Sequence, residues 1–270
     1  MTLAELEAAL LERFPRENAE SWDHVGLSVG DPGARVLRVT CALDATEANV
    51  RAAAARGSNV LLTHHPVYLE APAAFTPAAR SRPACGAAVY SAVELGVGII
   101  SLHTNLDRSR QARELLPALV GLSAESSLEW PSDPARCGLG ALCPASGYTL
   151  GALAVELARA FGTEPRVWGP ADAPLHRVAF LGGSLGDFGE LALAHGADAV
   201  VCGECGYHVA QDLALRGCPP VLLGHDRSEE PFTAILSDAL ADAGVPADAI
   251  DILEAPRPWW TASKGEPSWS

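Results

Sequence analysis

One unit recurs four times along this chain: a helix-like stretch closed by glycine, an apolar run, then polar side chains able to bind metal. The four endings are NVLLTHH (59–65), VGIISLHTNLD (97–107), DAVVCGECGYH (198–208) and PPVLLGHDRSE (219–229). Strands alternating with helices predict an α/β fold, with parallel or mixed sheets covered by helices. The repeated unit predicts two similar lobes. Five of the eight histidines sit at these endings. Open α/β sheets build their sites at the carboxyl ends of strands, and histidines gathered there with carboxylates are what a metal centre needs.

The N-terminus, MTLAELEAALLERF, reads as an amphipathic helix rather than a signal peptide, since it is acidic and has no basic leading region. Thr2 and Glu5 fit a capping box, and Leu3, Leu6, Leu10 and Phe14 form one apolar stripe. Residues 16–30 read as a polar segment and 35–43 as a strand ending at Asp44. Residues 45–56 read as a helix closed by Gly57, and 60–62 as a strand that Pro66 keeps from continuing. Residues 68–84, rich in proline and alanine, predict a loop over the site. Residues 123–144 are the expected crossing between lobes. The expected division is 1–127 plus 222–270 as a metal-binding lobe and 128–221 as a second α/β lobe. Ser228 is expected to cap a final helix over 229–243. Three of the six tryptophans lie in the irregular tail. Trp259 and Trp260 are expected to pack on something, such as another subunit.

The formal net charge of −14 argues against non-specific nucleic-acid binding, which needs clustered lysine and arginine. No apolar run approaches the roughly 18 residues of a membrane span. Seven cysteines, an odd number, are scattered through the chain, which suits a reducing cytoplasm. Cys202 and Cys205 form a lone C-x-x-C, and no second pair completes a structural zinc site. They are expected to be free thiols and not ligands.

Adjacent strand residues point to opposite faces, but at a strand end the rings of His64 and His65 can reach one small volume. The next ending adds His103 and Asp107. The last adds His225, with Glu229 four residues on at a helix start. His64, His65, Asp107, His225 and Glu229 together offer three imidazoles and two carboxylates, a set suited to Zn, Mn, Fe or Mg. Five ligands are too few to saturate two ions, and open positions mark a catalytic site. Either carboxylate is a candidate bridge.

These residues resemble the Nif-three-like family (NGG-one-interacting factor three), also known as dinuclear metal-centre hexameric proteins and often named type-two GTP cyclohydrolase I. The resemblance spans nearly the whole chain. It rests on WDHVGL (22–27), ALDAT (42–46), LLTHHP (61–66), HTNLD (103–107), GLG (138–140), GGS (182–184) and GHDRSE (224–229), in order. It implies two metal ions held by His64, His65, Asp107, His225 and Glu229, with His103 as a further ligand or proton carrier. It also implies a hexameric ring, without the central domain that longer members carry. Against the family pattern, His24 replaces an asparagine, Glu204 replaces an aspartate, residues 107–115 lack a glycine-rich stretch, and Cys205 is unexpected.

The function expected is a metal-dependent hydrolase acting through metal-activated water on nucleotides or phosphoesters, or opening the ring of a purine-like substrate in cyclohydrolase-type chemistry. His103, Glu204 or His208 would move protons. The alternative is a non-enzymatic metal-binding ring serving as metal store, chaperone or interaction platform. A cysteine-based redox protein is a third class, resting on one motif.

Overall fold

The computed structural model describes residues 1–77, 84–257 and 259–261. Its strands are β1 (Gly26–Val29), β2 (Val39–Ala42), β3 (Val60–Thr63), β4 (Gly98–Ser101), β5 (Ala141–Thr149), β6 (Arg166–Val167), β7 (Pro174–Phe180), β8 (Ala199–Cys202), β9 (Pro220–Leu222) and β10 (Ile250–Ile252). They form two five-stranded sheets, ordered β1-β4-β3-β2-β10 and β5-β7-β8-β9-β6. In the first, β2, β3, β4 and β10 run parallel and β1 is an antiparallel edge. In the second, β7, β8 and β9 run parallel between two antiparallel edges.

Every residue of β2, β3, β4 and β8 is buried, as expected of parallel strands covered on both faces. The two-residue period then assigns the faces. Val60 and Leu62 of β3 enter one large buried cluster, while Leu61 between them enters another. The large cluster runs through both sheets, joining Val39, Val60 and Ile100 to Val178, Val201 and Val221. Helices α1 (Leu3–Arg13), α5 (Arg110–Ala118), α6 (Leu150–Ala160) and α10 (Phe232–Asp242) contribute to it. Helices α2 (Glu47–Ala55) and α3 (Cys85–Leu95) cover the far face of the first sheet. Helices α7 (Phe188–Ala194) and α8 (Tyr207–Leu215) cover the far face of the second.

Helix α1 has the expected capping box. Thr2 Oγ1 accepts from Glu5 N at 3.2 Å, and Thr2 N donates to Glu5 Oε2 at 2.8 Å. Its stripe Leu3, Leu6, Leu10 and Phe14 is fully buried. Helix α6 is capped likewise, with Thr149 Oγ1 accepting from Ala152 N.

Four short or irregular strands, β1, β5, β6 and β10, are all sheet edges. Strand β5 occupies part of the segment expected to be an irregular crossing. Pro144 lies inside it, which an edge tolerates because one side of the strand has no ladder to feed. The expected final helix over 229–243 is two helices, α9 (His225–Glu229) and α10, with Pro231 as the N-cap position of α10. Ser228 is inside α9. Its Oγ accepts from Gly183 N at 2.9 Å and donates to His225 O at 2.8 Å.

The described part of the expected loop, 68–77, carries neither helix nor strand, and 78–83 lie outside the described residues. In the tail, Trp259 Nε1 donates to Asp226 Oδ2 at 3.2 Å, although the ring stays 45% exposed. Trp269 lies outside the described residues. Among the described residues no helix is long and apolar enough to cross a membrane.

Candidate metal centre

The carboxyl ends of β3, β4 and β9 converge, and the chain supplies the site there. His64 and His65 follow β3, and His103 follows β4. Asp107 closes the one-turn helix α4 (Thr104–Asp107), and α9 begins with His225 and ends with Glu229. Backbone bonds fasten the strand ends: His65 N donates to Leu43 O at 2.9 Å, and Leu102 N to Thr63 O at 2.9 Å.

All four imidazoles are held by Nδ1. His64 Nδ1 pairs with Leu102 O at 3.0 Å and His65 Nδ1 with Asp44 Oδ1 at 2.8 Å. His103 Nδ1 pairs with Asp23 Oδ1 at 2.9 Å and His225 Nδ1 with Glu204 Oε1 at 3.0 Å. A ring that donates from Nδ1 keeps Nε2 as a lone-pair ligand, the arrangement by which metal-binding histidines are oriented.

Glu229 lies among these Nε2 atoms. Its Oε2 is 2.9 Å from His65 Nε2 and 3.1 Å from His225 Nε2. Its Oε1 is 3.7 Å from His64 Nε2, which is 3.5 Å from Asp107 Oδ1. Three ligand sets result: His64–Asp107–Glu229, His65–His225–Glu229 and His64–His65–His103, each with its atoms within 4.8 Å of one another. His64 Nε2 is buried with no hydrogen-bond partner among the described residues. A buried polar atom left unpaired costs free energy unless a ligand meets it, and an ion between His64, Asp107 and Glu229 would do so. The donor chemistry therefore fits a divalent metal.

Two glycines make room for Glu229. A Cβ on Gly182 would lie 2.9 Å from Glu229 Cγ, and one on Gly183 (φ +60°) would collide with the carboxylate.

The electrostatics are those of imidazoles and carboxylates that share protons at close range. Burial opposes charge on His65, but Asp44 and Glu229 at its two nitrogens raise it to about 10. The Glu229 carboxylate, working against burial, raises His225 to about 9. Burial works to raise Glu229, yet its imidazole partners hold it well below the usual carboxylate range. Burial pushes Asp107 up, and the nearby Glu229 charge adds to it. A metal would displace the protons from these rings.

His64, His65, Asp107, His225 and Glu229 thus come together, with His103 beside them. Glu204 stands behind the His225 ring on Nδ1, a place for orienting the ring. His208 is not brought to the cluster. It is exposed on α8, its ring 5.2 Å from that of Tyr207. Two carboxylates that carry the site were not singled out from the sequence. Asp44 ends an apolar run just as the histidines do, which is a legible signal. Asp23 follows Trp22 in a polar segment, and only the tertiary contact shows its part. Its buried carboxylate takes Thr104 N at 3.0 Å as well as His103. Burial would raise it, but His103 and Thr104 prevail and hold it at about 2.

A cleft of about 510 Å³ opens onto the cluster, lined by Trp22, Leu69, Leu116, Phe188 and Phe232 among others. Arg113 also lines it, with a guanidinium that donates to the backbone carbonyls of Pro134 and Arg136.

Two α/β sheets with histidines and carboxylates at their joined strand ends define a protein with a candidate metal-binding cleft. The model of the Duf34/NIF3 (NGG1p interacting factor 3) family matches residues 1–255, and the chain belongs to that family. A Streptomyces coelicolor relative named GTP cyclohydrolase 1 type 2 homolog is 33% identical over 213 residues, covering 76% of this chain and 73% of the relative. A Clostridium acetobutylicum relative of the same name is 27% identical over 239 residues, covering 87% and 88%. The fold matches that of Staphylococcus aureus hypothetical protein SA1388, with a TM-score of 0.84, 21% identity and coverage of 97% and 99%. It also matches a Bacillus cereus protein related to NIF3, with a TM-score of 0.83, 19% identity and the same coverage.

Proposed function

We infer that the protein is a metal-dependent hydrolase with a dinuclear centre, in which Glu229 would be a ligand shared by two divalent ions. His64 and Asp107 would hold one ion, and His65 and His225 the other. The observation that carries this reading is the division of Glu229, one oxygen toward His64 and the other toward His65 and His225. Bound divalent ions supply Lewis acidity and make water a nucleophile near neutral pH.

The protein's own residues supply the rest. Asp44 and Glu204 fix the tautomers of His65 and His225. Asp23 does the same for His103, whose Nε2 is then placed to take or return a proton beside the cluster. The apolar walls, Leu69, Leu116 and Phe188, exclude water around a substrate body, and Trp22 offers a ring face at the rim. Arg113 supplies positive charge for an anionic substrate in a chain of net charge −14. Nucleotides and phosphoesters have that shape and charge, and the relatives' printed name points to cyclohydrolase-type chemistry.

The test is to load the protein with Zn, Mn, Fe or Mg and assay a panel of nucleotides and phosphoesters, with Asp107→Ala as control. Turnover lost in the variant supports the hydrolase. Tight metal binding without turnover on any substrate supports the metal-store reading instead. We also expect a homo-oligomer, a hexameric ring in a cytoplasmic setting. Light scattering at about six times the chain mass supports the ring, and a monomer that persists at high concentration removes it.

A further inference from the structure

The C-x-x-C motif plays no part in the site described above, yet it is joined to it. Cys202 ends β8 with its side chain fully buried. Cys205 is half-buried and precedes Gly206, the N-cap position of the nine-residue helix α8. Cys202 Sγ donates to Glu204 O at 3.8 Å, and the two thiols lie near enough to shift each other's titration. Glu204 lies between them, its carbonyl accepting from Leu185 N at 2.9 Å and its carboxylate meeting His225 Nδ1 at 3.0 Å. The same short loop presses on the start of α9: a Cβ on Gly203 would lie 2.8 Å from His225 Cα and 2.6 Å from Gly183 O.

We propose that Cys202 and Cys205 are a reversible disulfide site, oxidised by low-molecular-weight disulfides, and that closing the bond weakens metal binding through Glu204 and His225. The second half rests on the metal-centre reading above. Cys205, the accessible thiol, attacks one sulfur of the small disulfide as thiolate, giving a mixed disulfide and releasing one small thiolate. Cys202 then loses its proton to that thiolate or to solvent and attacks Cys205 Sγ, releasing the second small thiolate, which solvent protonates. Two electrons pass from the cysteine pair to the small disulfide, and one S–S bond replaces another. A bonded pair of sulfurs is ~2.05 Å apart, closer than two unbonded thiols approach, so closing the bond takes Cys202 Sγ from Glu204 O and tightens the loop, and Glu204 shifts with it. His225 then loses the partner that fixes its ring.

Cys205 is set apart from the buried thiols, among them Cys202, which its neighbour Cys205 and burial push up. Burial pushes Cys41, Cys143 and Cys218 up to about 12, whereas the neighbouring Cys202 thiol, against burial, brings Cys205 down to about 7. Thiolate character at neutral pH is what makes a cysteine react.

The experiment exposes the reduced full chain to oxidised glutathione, alkylates the remaining thiols, and locates modified cysteines by mass spectrometry. Affinity is read with manganese, a hard ion with little preference for thiolates. The expected result is a Cys202–Cys205 disulfide, a manganese affinity lower by on the order of tenfold, and full recovery with reductant. Cys205→Ser should bind manganese as the reduced wild type does and ignore oxidised glutathione. Two fully alkylated cysteines after exposure would overturn the disulfide site. A disulfide with unchanged affinity would overturn the link to His225. Failure of the reduced wild type to bind manganese would overturn the metal reading and the link together, while the thiol count still decides the disulfide.

Discussion

Glu229 Oε2 lies 2.9 Å from His65 Nε2, a contact between residues 164 positions apart. It joins the end of a strand in the first sheet to the helix that leaves the second sheet. The site therefore exists only when both sheets are folded against their shared core.

Replacing His65 with alanine should lower metal content without unfolding the chain. The ring is not part of the apolar clusters, so the change removes a ligand rather than core packing. Elemental analysis should show reduced stoichiometry while circular dichroism is unchanged. Wild-type stoichiometry would exclude His65 as a ligand.

Asp44→Asn tests the orienting carboxylates. It keeps the shape but removes the charge that holds His65 Nδ1. Metal affinity should fall by about 10- to 100-fold, the usual cost of losing such a partner. Calorimetric titration reads this directly, and an unchanged affinity would mean the pairing is structural only.

Gly183→Ala should cost about 1 kcal/mol or more of stability from its positive φ, and metal binding as well, because the new methyl would displace the Glu229 carboxylate. Gly196→Ala is the control: its φ is +70°, but nothing lies within 4 Å of the added Cβ. It should lose stability in urea melts and retain metal. Retention of metal by Gly183→Ala would contradict the placing of Glu229.

The metal-free protein should lose stability as pH rises. His65 is raised from 6.5 to about 10 and His225 to about 9. The folded state thus binds protons that the unfolded state has released. That contribution is complete below about 6.5 and is lost as pH climbs through 9 to 10. Thermal melts of the metal-free protein should fall across that window, and His65→Ala should flatten the fall. A melting temperature that climbs from pH 7 to 10 would contradict the paired imidazoles.

The sequence made the clustered histidines and carboxylates legible because each lies at or shortly after the end of an apolar run, where parallel sheets build sites. It made the central strands legible for the same reason, since burial on both faces leaves runs such as VLLT and AVVC. Three of the edge strands, β1, β5 and β10, were hidden: β5 contains Pro144 and Gly147, and its pairing with β7 supplies what its own pattern lacks. The partners of the imidazoles were hidden because they are tertiary. Nothing local tells that Asp23 reaches His103 80 positions away, or that Glu204 meets His225. His208 shares the strand-then-ligand pattern but falls on the exposed face of α8, which a pattern of residue types does not resolve.

The most direct test of the central claim is anomalous diffraction from crystals of the metal-loaded protein, collected at the metal's absorption edge. The account predicts two peaks flanking the Glu229 carboxylate, one beside His64 and Asp107 and one beside His65 and His225. Peaks at the cysteines, or none within bonding distance of Glu229, would contradict it.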